Sequence, residues 1–298
     1  MPHKIIIDTD YGDDIDDAIA VSFAAKWPEV EVLAVTTCHV CVRERALMAA
    51  KQLRLLGAGH IPCAAGLPRP LAPADADTER RFAERQPATF GFVEEGDSAH
   101  VSATEAVDLI HRLLQAHPGQ VTLVAIGPLT NVAALFQRHP DTVDLVKAVA
   151  MMGGDFPGQR KEYNIACDPE AAAKVFAQPV AKFLGTWDVT RRVVMGQAEI
   201  NALRASPLPA CQGLVRQIDL WWPRKGAKTG PVVYDIAPIL WTVDPSFFTC
   251  RAHRLDVVVQ GADRGRTVES PQGHVMDVSM DMRDKDALDL LMKTLLKP

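Results

Sequence analysis

The chain has 298 residues, 48% of them hydrophobic and 23% charged, which is an ordinary composition for a globular protein. Its formal net charge of -5 offers no basic face to a polyanion, so nucleic acid is not an expected partner. No apolar run is long enough to cross a bilayer, and the N-terminus is too short for a signal peptide, so we expect a cytoplasmic protein without a membrane partner.

Short apolar runs alternate with helical patterns along the chain. Strands are predicted at residues 4–7, 30–37, 60–65, 121–126, 143–152 and 180–184. Helices are predicted at residues 18–25, 43–56, 104–116, 129–137 and 168–176, and residues 200–241 are mainly helical with a break at 223–231. Short strands and a last helix, at 284–296, are predicted from residue 253 onward. Continuous apolar strands separated by helices indicate an α/β fold, with an open, mostly parallel, Rossmann-like sheet and helices on both faces.

One long stretch, residues 66–99, is irregular and rich in proline, alanine and charge. No internal repeat, low-complexity tract or linker divides the sequence, so a single domain over residues 1–298 is expected. Ligands of parallel sheets bind beyond the carboxyl ends of the strands. We therefore expect the functional site among the residues that follow the strands.

Six cysteines are scattered through the sequence, and without a secretory signal they are expected to be reduced thiols. Cys38 and Cys41 have the CxxC spacing, but a zinc site would need a second ligand pair with similar spacing, which the sequence lacks. We interpret both as thiols at a strand end, one of them a candidate to line the site.

Six carboxylates lie within residues 8–17, where the first strand ends and a helix begins. One of them could cap the helix, and another could interact favourably with the positive N-terminal end of the helix dipole. Each interaction would stabilise the helix by about 0.3–2 kcal/mol, and together they account for two of the six carboxylates. The others would repel one another unless a cation lay among them. An all-oxygen ligand set is typical of calcium or magnesium rather than zinc or copper, so the loop predicts a divalent metal site.

Two other acidic motifs are alternatives to such a loop. An EF-hand requires glycine at its sixth position and glutamate at its twelfth, and counting from Asp8 these positions hold Asp13 and Ile19, so the EF-hand is excluded. A strand that ends in Asp-x-Asp also resembles the haloacid-dehalogenase-like phosphatases, with Asp8 as nucleophile. Gly12 stands where that family usually has threonine or valine, so the phosphatase is the weaker alternative.

The acidic loop and a series of later motifs resemble the nucleoside hydrolase family, whose opening signature is close to Asp-Thr-Asp-x-Gly-x-Asp-Asp-Ala. Residues 16–18 match its last three positions if this chain carries two extra residues. Similar motifs follow in the family's order at residues 33–37, 127–131, 152–154, 162–164, 168–172 and 187–190, and then at Asp235 and residues 244–245. The resemblance implies a hydrolase that cleaves the N-glycosidic bond of ribonucleosides, or of a related N-riboside, and forms a homodimer or homotetramer.

The resemblance also implies a calcium site and its ligands. Asp10, Asp17 and Asp235 would hold the ion together with the main-chain carbonyl of Ile126, and Asp8 would lie beside it. A carbonyl ligand makes the side chain of Ile126 irrelevant.

Catalytic and sugar-binding roles follow from the same resemblance. Asp10 would act as general base toward a calcium-bound water, and Asp16, Glu162 and Asn164 would hydrogen-bond the sugar hydroxyls. Asn164 could instead cap a helix, as could Asp235. For Asp168 the helix cap is the preferred interpretation.

The residues expected around the base depart from the family's pattern. Tyr234 stands where many members have the histidine proposed to protonate the base, and a phenol, with a reference pKa near 10, is a poorer acid. Cys41 stands where the family often has asparagine. Trp221, Trp222 and Tyr234 are candidates to stack on a base, although the two tryptophans could equally pack a helix. These departures motivate a further alternative, a calcium-dependent ribose-binding or nucleoside-binding homologue without turnover.

Overall fold

The structure, a computed structural model, describes residues 1–73, 79–80, 82, 84–93, 101–225 and 230–298. In these residues the strands are β1 (His3–Thr9), β2 (Val30–Thr37), β3 (Cys63–Ala65), β4 (Val121–Ala125), β5 (Ala148–Met152), β6 (Lys182–Gly185), β7 (Phe248–Val257), β8 (Thr267–Glu269) and β9 (His274–Met282). They form a sheet in the order β3-β2-β1-β4-β5-β6-β9-β7-β8. The strands from β3 to β9 pair in parallel, and β7 is antiparallel to both β9 and β8.

The described helices are α1 (Asp16–Lys26), α2 (Val42–Leu55), α3 (Ala106–Ala116), α4 (Thr130–Arg138), α5 (Thr142–Leu145), α6 (Tyr163–Cys167), α7 (Pro169–Phe176), α8 (Trp187–Thr190), α9 (Gln197–Ala205), α10 (Pro209–Lys225), α11 (Ile236–Val243) and α12 (Asp284–Leu295), with short 3-10 turns at Phe90–Phe92 and Pro245–Phe247. None of the helices in these residues combines the length and the apolar character needed to cross a membrane.

The sheet is covered on both faces by apolar side chains. Ile5 and Ile7 of β1 belong to one core, which α1, α2, α10, α11 and α12 complete, and Ile6 belongs to the other, which α3, α4 and α7 complete. All three isoleucines are at most 1% exposed. Because side chains alternate across a strand, a strand buried on both faces is a continuous apolar run, as the sequence indicated. The predicted α/β class and the mostly parallel sheet are confirmed.

One predicted strand, at residues 143–152, was too long. Thr142–Leu145 is the short helix α5, and the strand β5 begins only at Ala148. Val143 and Leu145 pack against the second core from this helix, so their apolar character reflects burial and not strand structure. An apolar run alone does not distinguish a buried helix from a buried strand.

The carboxyl-terminal part contains longer strands than the sequence indicated. β7 has 10 residues and β9 has 9, and β9 pairs with β6 so that the sheet continues into this part. In β7 exposed and partly exposed residues are interspersed with buried ones, which lowers the apolar content on which the prediction depended.

Helix α1 begins at Asp16, two residues before its predicted start at residue 18. The acidic loop therefore extends directly into the first turn of a helix. Because β1, β4, β5 and β6 run in parallel, the residues that follow them meet at one edge of the sheet, where this loop also lies.

Candidate active site

Three buried carboxylates meet at the edge of the sheet where the parallel strands end. Asp16 and Asp17 are the first two residues of α1, and Asp235 directly precedes α11. Each is 3–4% exposed, and one oxygen of each lies within 4.8 Å of the others. The two helix N-termini favour negative charge here, but only by about 0.3–2 kcal/mol each. Three charges this close need further compensation.

The pKa values of these carboxyl groups show the effect of burying three like charges close together. The pKa values of Asp16, Asp17 and Asp235 are well above the usual range for a carboxyl group. Burial is the larger cause, and repulsion from neighbouring carboxylates adds to it. The hydroxyl of Thr9 donates to Asp17 and offsets only part of this effect. Either the group binds protons or a cation lies among its oxygens. Oxygen donors alone suit a hard divalent ion such as calcium or magnesium, so the described residues fit a metal of this class.

Asp8 and Asp10 flank the three carboxylates. Asp8 accepts hydrogen bonds from Thr36 at 2.6 Å and Asn131 at 2.7 Å through Oδ1, while its buried Oδ2 has no hydrogen-bond partner among the described residues. Asp10 is 6% exposed and lines the cleft. Burial raises the pKa of both groups to about 7, and for Asp10 the nearby Arg45 guanidinium opposes this rise.

Arg45, a fully buried residue of α2, fixes the acidic loop from behind. Its Nη1 donates to the carbonyl oxygens of Asp10 and Tyr11, the latter at 2.9 Å, and its Nε donates to both carbonyls of residues 39–40. Nη2 lies 3.1 Å from a carboxylate oxygen of Asp13. One guanidinium therefore connects the loop after β1 with the turn after β2.

That turn, residues 39–41, is held in an unusual conformation. His39, Val40 and Cys41 all have positive φ angles, of 62°, 38° and 44°. Such angles cost roughly 1–3 kcal/mol per residue outside glycine and persist only where the surroundings enforce them. The two hydrogen bonds from Arg45 Nε to the carbonyl oxygens of His39 and Val40 help to hold the turn in this conformation.

Glu162 and Asn164 shape the side of the cleft near β5. The Glu162 carboxylate accepts from the main-chain N–H groups of Gly154, Asn164 and Ile165 at 2.9–3.1 Å and so caps α6. The amide of Asn164 donates to the carbonyl oxygens of Ile126 and of Met152 at 3.1 Å each. Both side chains are 4–6% exposed and line the cleft.

Asp13, Arg85 and Tyr163 also line the cleft. Arg85 Nη2 lies 2.5 Å from Asp13, and the Tyr163 hydroxyl lies 3.1 Å from Nε2 of His39. Burial, followed by the charges of Arg45 and Arg85, lowers the pKa of His39 to about 3. His39 is therefore neutral near pH 7 and does not act as a proton donor there.

The whole cleft has a cavity volume of about 320 Å³, at the lower end of the range for small-molecule sites. Its lining residues are Asp10, Asp13, Asp14, Asp16, Asp17, Arg85, Ile126, Met152, Arg160, Lys161, Glu162, Tyr163, Asn164, Trp187, Tyr234 and Asp235. The floor is thus acidic, while the rim contains cations and aromatic rings.

A second group of possible metal ligands, His111, His139 and Asp141, lies outside this cleft. The two imidazole rings are stacked, with centroids 3.8 Å apart and planes at 10°, so their in-plane lone pairs run side by side and do not converge. Asp141 already contacts His111 Nε2 at 3.0 Å. The arrangement is that of a hydrogen-bonded surface pair.

Comparison with known proteins identifies the family of the chain. A family model described as inosine-uridine preferring nucleoside hydrolase matches residues 5–291. The chain belongs to this family. Among related sequences, the non-specific ribonucleoside hydrolase RihC of Salmonella paratyphi A is 32% identical over 279 residues, which cover 91% of this chain and 89% of that protein. RihC of Escherichia coli strain SE11 is 32% identical over 268 residues, 88% and 86% of the two chains.

Solved structures of nucleoside hydrolases have the same fold. The plant nucleoside hydrolase PpNRh1 superposes with a TM-score of 0.84 and 26% identity, and the match covers 100% of both chains. The purine-preferring ribonucleoside hydrolase from Gardnerella vaginalis gives a TM-score of 0.82 at 22% identity over 98% of both chains, a likeness that shows the fold alone. The predicted enzyme class, a hydrolase of N-glycosidic bonds, is confirmed by membership of the nucleoside hydrolase family, and the phosphatase alternative finds no support.

Most of the residues that the sequence indicated for a nucleoside hydrolase site are brought together. Those that line the cleft are Asp10, Asp16, Asp17, Ile126, Glu162, Asn164, Tyr234 and Asp235. Asp8 lies behind them, buried. Asp168 accepts from Ala171 N–H at 3.1 Å as the N-cap of α7, as preferred from the sequence. Asp235 occupies an N-cap position, but its side chain makes no capping hydrogen bond.

Cys41 and Trp222 lie outside the lining of the cleft. Trp222 packs edge-on against Trp221, with ring centroids 5.8 Å apart, which is the helix-packing alternative and not a stacking surface for a base. The Cys41 thiol donates to the main-chain carbonyl of Arg85 at 3.1 Å and so supports the rim. Among the described residues neither lines the cleft, and their contacts with a substrate stay a prediction.

The sequence did not indicate several residues of the site. Arg45, Arg85, Arg160, Tyr163 and Trp187 had no assigned role, and only the last two fall within recognised motifs, at residues 162–164 and 187–190. Arg45 is one arginine among several on a helix, and nothing in the local pattern shows that it is buried.

Proposed function

We propose that the protein hydrolyses the N-glycosidic bond of ribonucleosides to ribose and free base with the help of a calcium ion. The observation that carries the proposal is the group of three buried carboxylates within 4.8 Å at the floor of a cleft, in a chain of the nucleoside hydrolase family. Like charges buried this closely are expensive without a cation, which supports a metal-dependent function.

Asp10, Asp17 and Asp235 would hold the ion, together with the main-chain carbonyl of Ile126, and Asp8 would support it from behind. When bound, calcium would lower the pKa of a water molecule and anchor the vicinal hydroxyls of ribose. The Ile126 carbonyl accepts from the Asn164 amide at 3.1 Å, and its second lone pair is still available.

Asp10 is the proposed general base. Its carboxylate lines the cleft next to the other proposed calcium ligands, where it could accept a proton from a water molecule held by the ion. Arg45 holds the main chain of Asp10 through the Asp10 carbonyl, so the carboxylate keeps its position in the cleft. The base would accept the water proton as the new bond forms at the anomeric carbon.

The ribose would lie against Asp16, Glu162 and Asn164. Three main-chain donors already occupy most of the acceptor positions of Glu162, so this residue would give one further hydrogen bond and otherwise fix α6. As the bond to the base breaks, positive charge develops on the sugar ring. The fixed carboxylates stabilise that charge without reorganisation.

Tyr234 is the proposed contact to the base. The ring is half-buried beside Trp187, and the pKa of its hydroxyl is raised, mainly by burial. Because a raised pKa makes the Tyr234 hydroxyl a weaker acid, we expect it to donate a hydrogen bond to the leaving base without transferring its proton. Together with the other departure from the family's pattern, at Cys41, this supports a loose or unusual preference among bases.

A reducing-sugar assay tests the proposal. Purified protein is given a panel of purine and pyrimidine ribonucleosides and the matching 2′-deoxynucleosides, with calcium and after chelation. Release of ribose that requires both calcium and the 2′-hydroxyl is the expected result. Calcium binding without release from any nucleoside would instead favour a binding protein without turnover.

The family resemblance also supports a proposal about assembly, a homodimer or homotetramer, and the six unpaired cysteines support the proposal of a cytoplasmic location. Size-exclusion chromatography with light scattering tests the assembly, since a monomer at micromolar concentration would contradict it.

A further inference from the structure

Three cationic side chains line the rim of the acidic cleft, and their charges are compensated differently. Arg85 forms an ion pair with Asp13 at 2.5 Å, and Lys161 Nζ donates to the Ala262 carbonyl at 2.6 Å. For Arg160, the described residues provide neither a carboxylate partner nor a hydrogen-bond acceptor for the guanidinium. The Arg160 guanidinium therefore lies at the cleft with N–H donors that no described residue accepts.

The position of Arg160 is built by its neighbours. Its main-chain N–H donates to Asp155 Oδ2 at 2.9 Å, and this hydrogen bond closes a turn over residues 155–160. Asp155 is 6% exposed, and any side chain at Gly158 would overlap its carboxylate, so the turn requires glycine there. The Lys161 contact to Ala262 anchors the next residue.

Trp187 supports the Arg160 guanidinium as a flat platform. The Cζ atom of Arg160 lies 3.8 Å from the Trp187 ring centroid, and the Cζ atom of Arg191 lies 4.5 Å from the same centroid. Stacking leaves the five N–H donors at the edge of the guanidinium free to bind an acceptor in its plane. Because two guanidinium groups already lie over the indole, we expect Trp187 to support Arg160 rather than to stack on a base.

We infer that Arg160 binds an oxyanion group on the substrate, so that the cleft accepts N-ribosides bearing a phosphate on the ribose or a carboxylate on the base. The inference deepens the proposed function and rests on it, since the acidic floor must still hold the ribose. A planar guanidinium with free donors matches phosphate and carboxylate through two parallel hydrogen bonds.

The opposite charges of floor and rim support an anionic substrate of defined orientation. An anionic group is repelled by Asp10, Asp16, Asp17 and Asp235 and attracted by the rim cations. The riboside can therefore enter only with its sugar toward the carboxylates and its anionic group toward Arg160. A neutral ribonucleoside gains no such orientation from the charges.

Paired substrates test this inference. The values of kcat/KM are measured for uridine 5′-monophosphate, orotidine and uridine, which separate a phosphate on the sugar from a carboxylate on the base. The wild type should prefer one of the two anionic ribosides to uridine. Arg160→Gln should lower that preference by about tenfold or more, the loss expected for a charge-assisted pair, and Arg160→Lys should lower it less.

Arg191→Gln is the matched control, because Arg191 stacks on the same tryptophan but does not line the cleft. This variant should keep the wild-type preference. The inference is overturned if uridine is the best of the three substrates, if Arg160→Gln leaves the preference unchanged, or if Arg191→Gln lowers it equally.

A binding measurement separates this inference from the proposed function. Ribose 5-phosphate and ribose are titrated into wild-type protein, Arg160→Gln and Arg191→Gln by calorimetry with calcium present. Tighter binding of the phosphate, lost only in Arg160→Gln, would uphold the oxyanion site even if no riboside were cleaved. Equal affinity of the wild type for both sugars and no preference for orotidine over uridine, alongside normal cleavage of uridine, would overturn the oxyanion site and leave the proposed function intact.

Discussion

At the scale of single residues, the site depends on charges buried where water cannot compensate them. Arg45 illustrates this, since a fully buried guanidinium is costly unless each of its donors is used. It hydrogen-bonds four main-chain carbonyls and lies 3.1 Å from Asp13, so it holds two loops in register. Its role is positioning, because it lies behind the residues that line the cleft.

Arg45→Lys should lower the free energy of unfolding by about 3 kcal/mol, because an ammonium group cannot satisfy four separated carbonyls. Calcium affinity should fall as well, as the Asp10 main chain is released. Chemical denaturation and calcium titration measure the two effects. Arg43→Lys, an exposed position on the same helix, is the control and should change neither. Unaltered stability in Arg45→Lys would contradict the positioning role.

Asp10→Asn should reduce kcat by about a hundredfold to ten-thousandfold, the range for loss of a general base, while the protein remains folded. Steady-state kinetics and circular dichroism measure the two properties. Asp289→Asn, an exposed carboxylate on α12, should behave as wild type. Near-normal kcat in Asp10→Asn would assign the base to another residue.

At the scale of elements, polar caps attach the helices that surround the cleft. Asp168 caps α7 through Ala171, and its second oxygen accepts from Thr130 Oγ1 at 2.8 Å and from the N–H of Leu71 at 2.9 Å. One carboxylate therefore joins α7, α4 and the segment after β3. Asp168 does not line the cleft, so its contribution should be to stability.

Asp168→Ala should lower the free energy of unfolding by about 2 kcal/mol, since it removes a cap and leaves buried donors unpaired. Thermal or urea unfolding measures this change. Asp284→Ala, at the start of α12, is the comparison, because that side chain has no hydrogen bond in the described residues and should cost less. An equal loss in the two variants would mean that the Asp168 contacts contribute nothing beyond the helix dipole.

At the scale of the whole molecule, the metal site couples stability to pH. Burial raises the pKa of Asp8 and of Asp10 from 3.8 to about 7. It also raises the pKa of the three clustered carboxyl groups well above the usual range. Between about pH 4 and pH 7 the folded, metal-free protein therefore holds protons that the unfolded chain has released. By linkage its stability falls as the pH rises through this window.

The melting temperature of metal-free protein should accordingly decrease from about pH 5 to about pH 7.5. Calcium should abolish this decrease and raise the melting temperature, because a ligand that binds only the folded state stabilises it by mass action. Calorimetry of chelated and dialysed protein, with and without added calcium, tests both statements. A melting temperature that rises with pH in the metal-free protein would contradict the raised pKa values.

The sheet includes strands from both ends of the sequence, β1 at its start and β9 near its end. This arrangement supports the proposal that residues 1–298 form a single domain. The pairing of β9 with β6 could not be anticipated, because β9 has four exposed positions among its nine residues and no local pattern identifies its partner. Pairing between distant segments depends on the shape of the whole sheet.

The sequence by itself determined the parallel α/β core and the acidic end of the site. Strands buried on both faces must be apolar throughout, and six carboxylates within ten residues are improbable without a cation, so both features are visible locally. The family resemblance added Asp235, Glu162, Asn164 and Tyr234, which all line the cleft.

Only the tertiary structure decided which other side chains reach the cleft. It separated Trp222, which packs within the protein, from Trp187, which lines the cleft, and it identified Arg45 and Arg160 among 32 lysines and arginines. Burial and orientation depend on contacts between segments far apart in the chain. A sequence read in local windows does not contain those contacts, and for this reason the rim of the site became visible only in the fold.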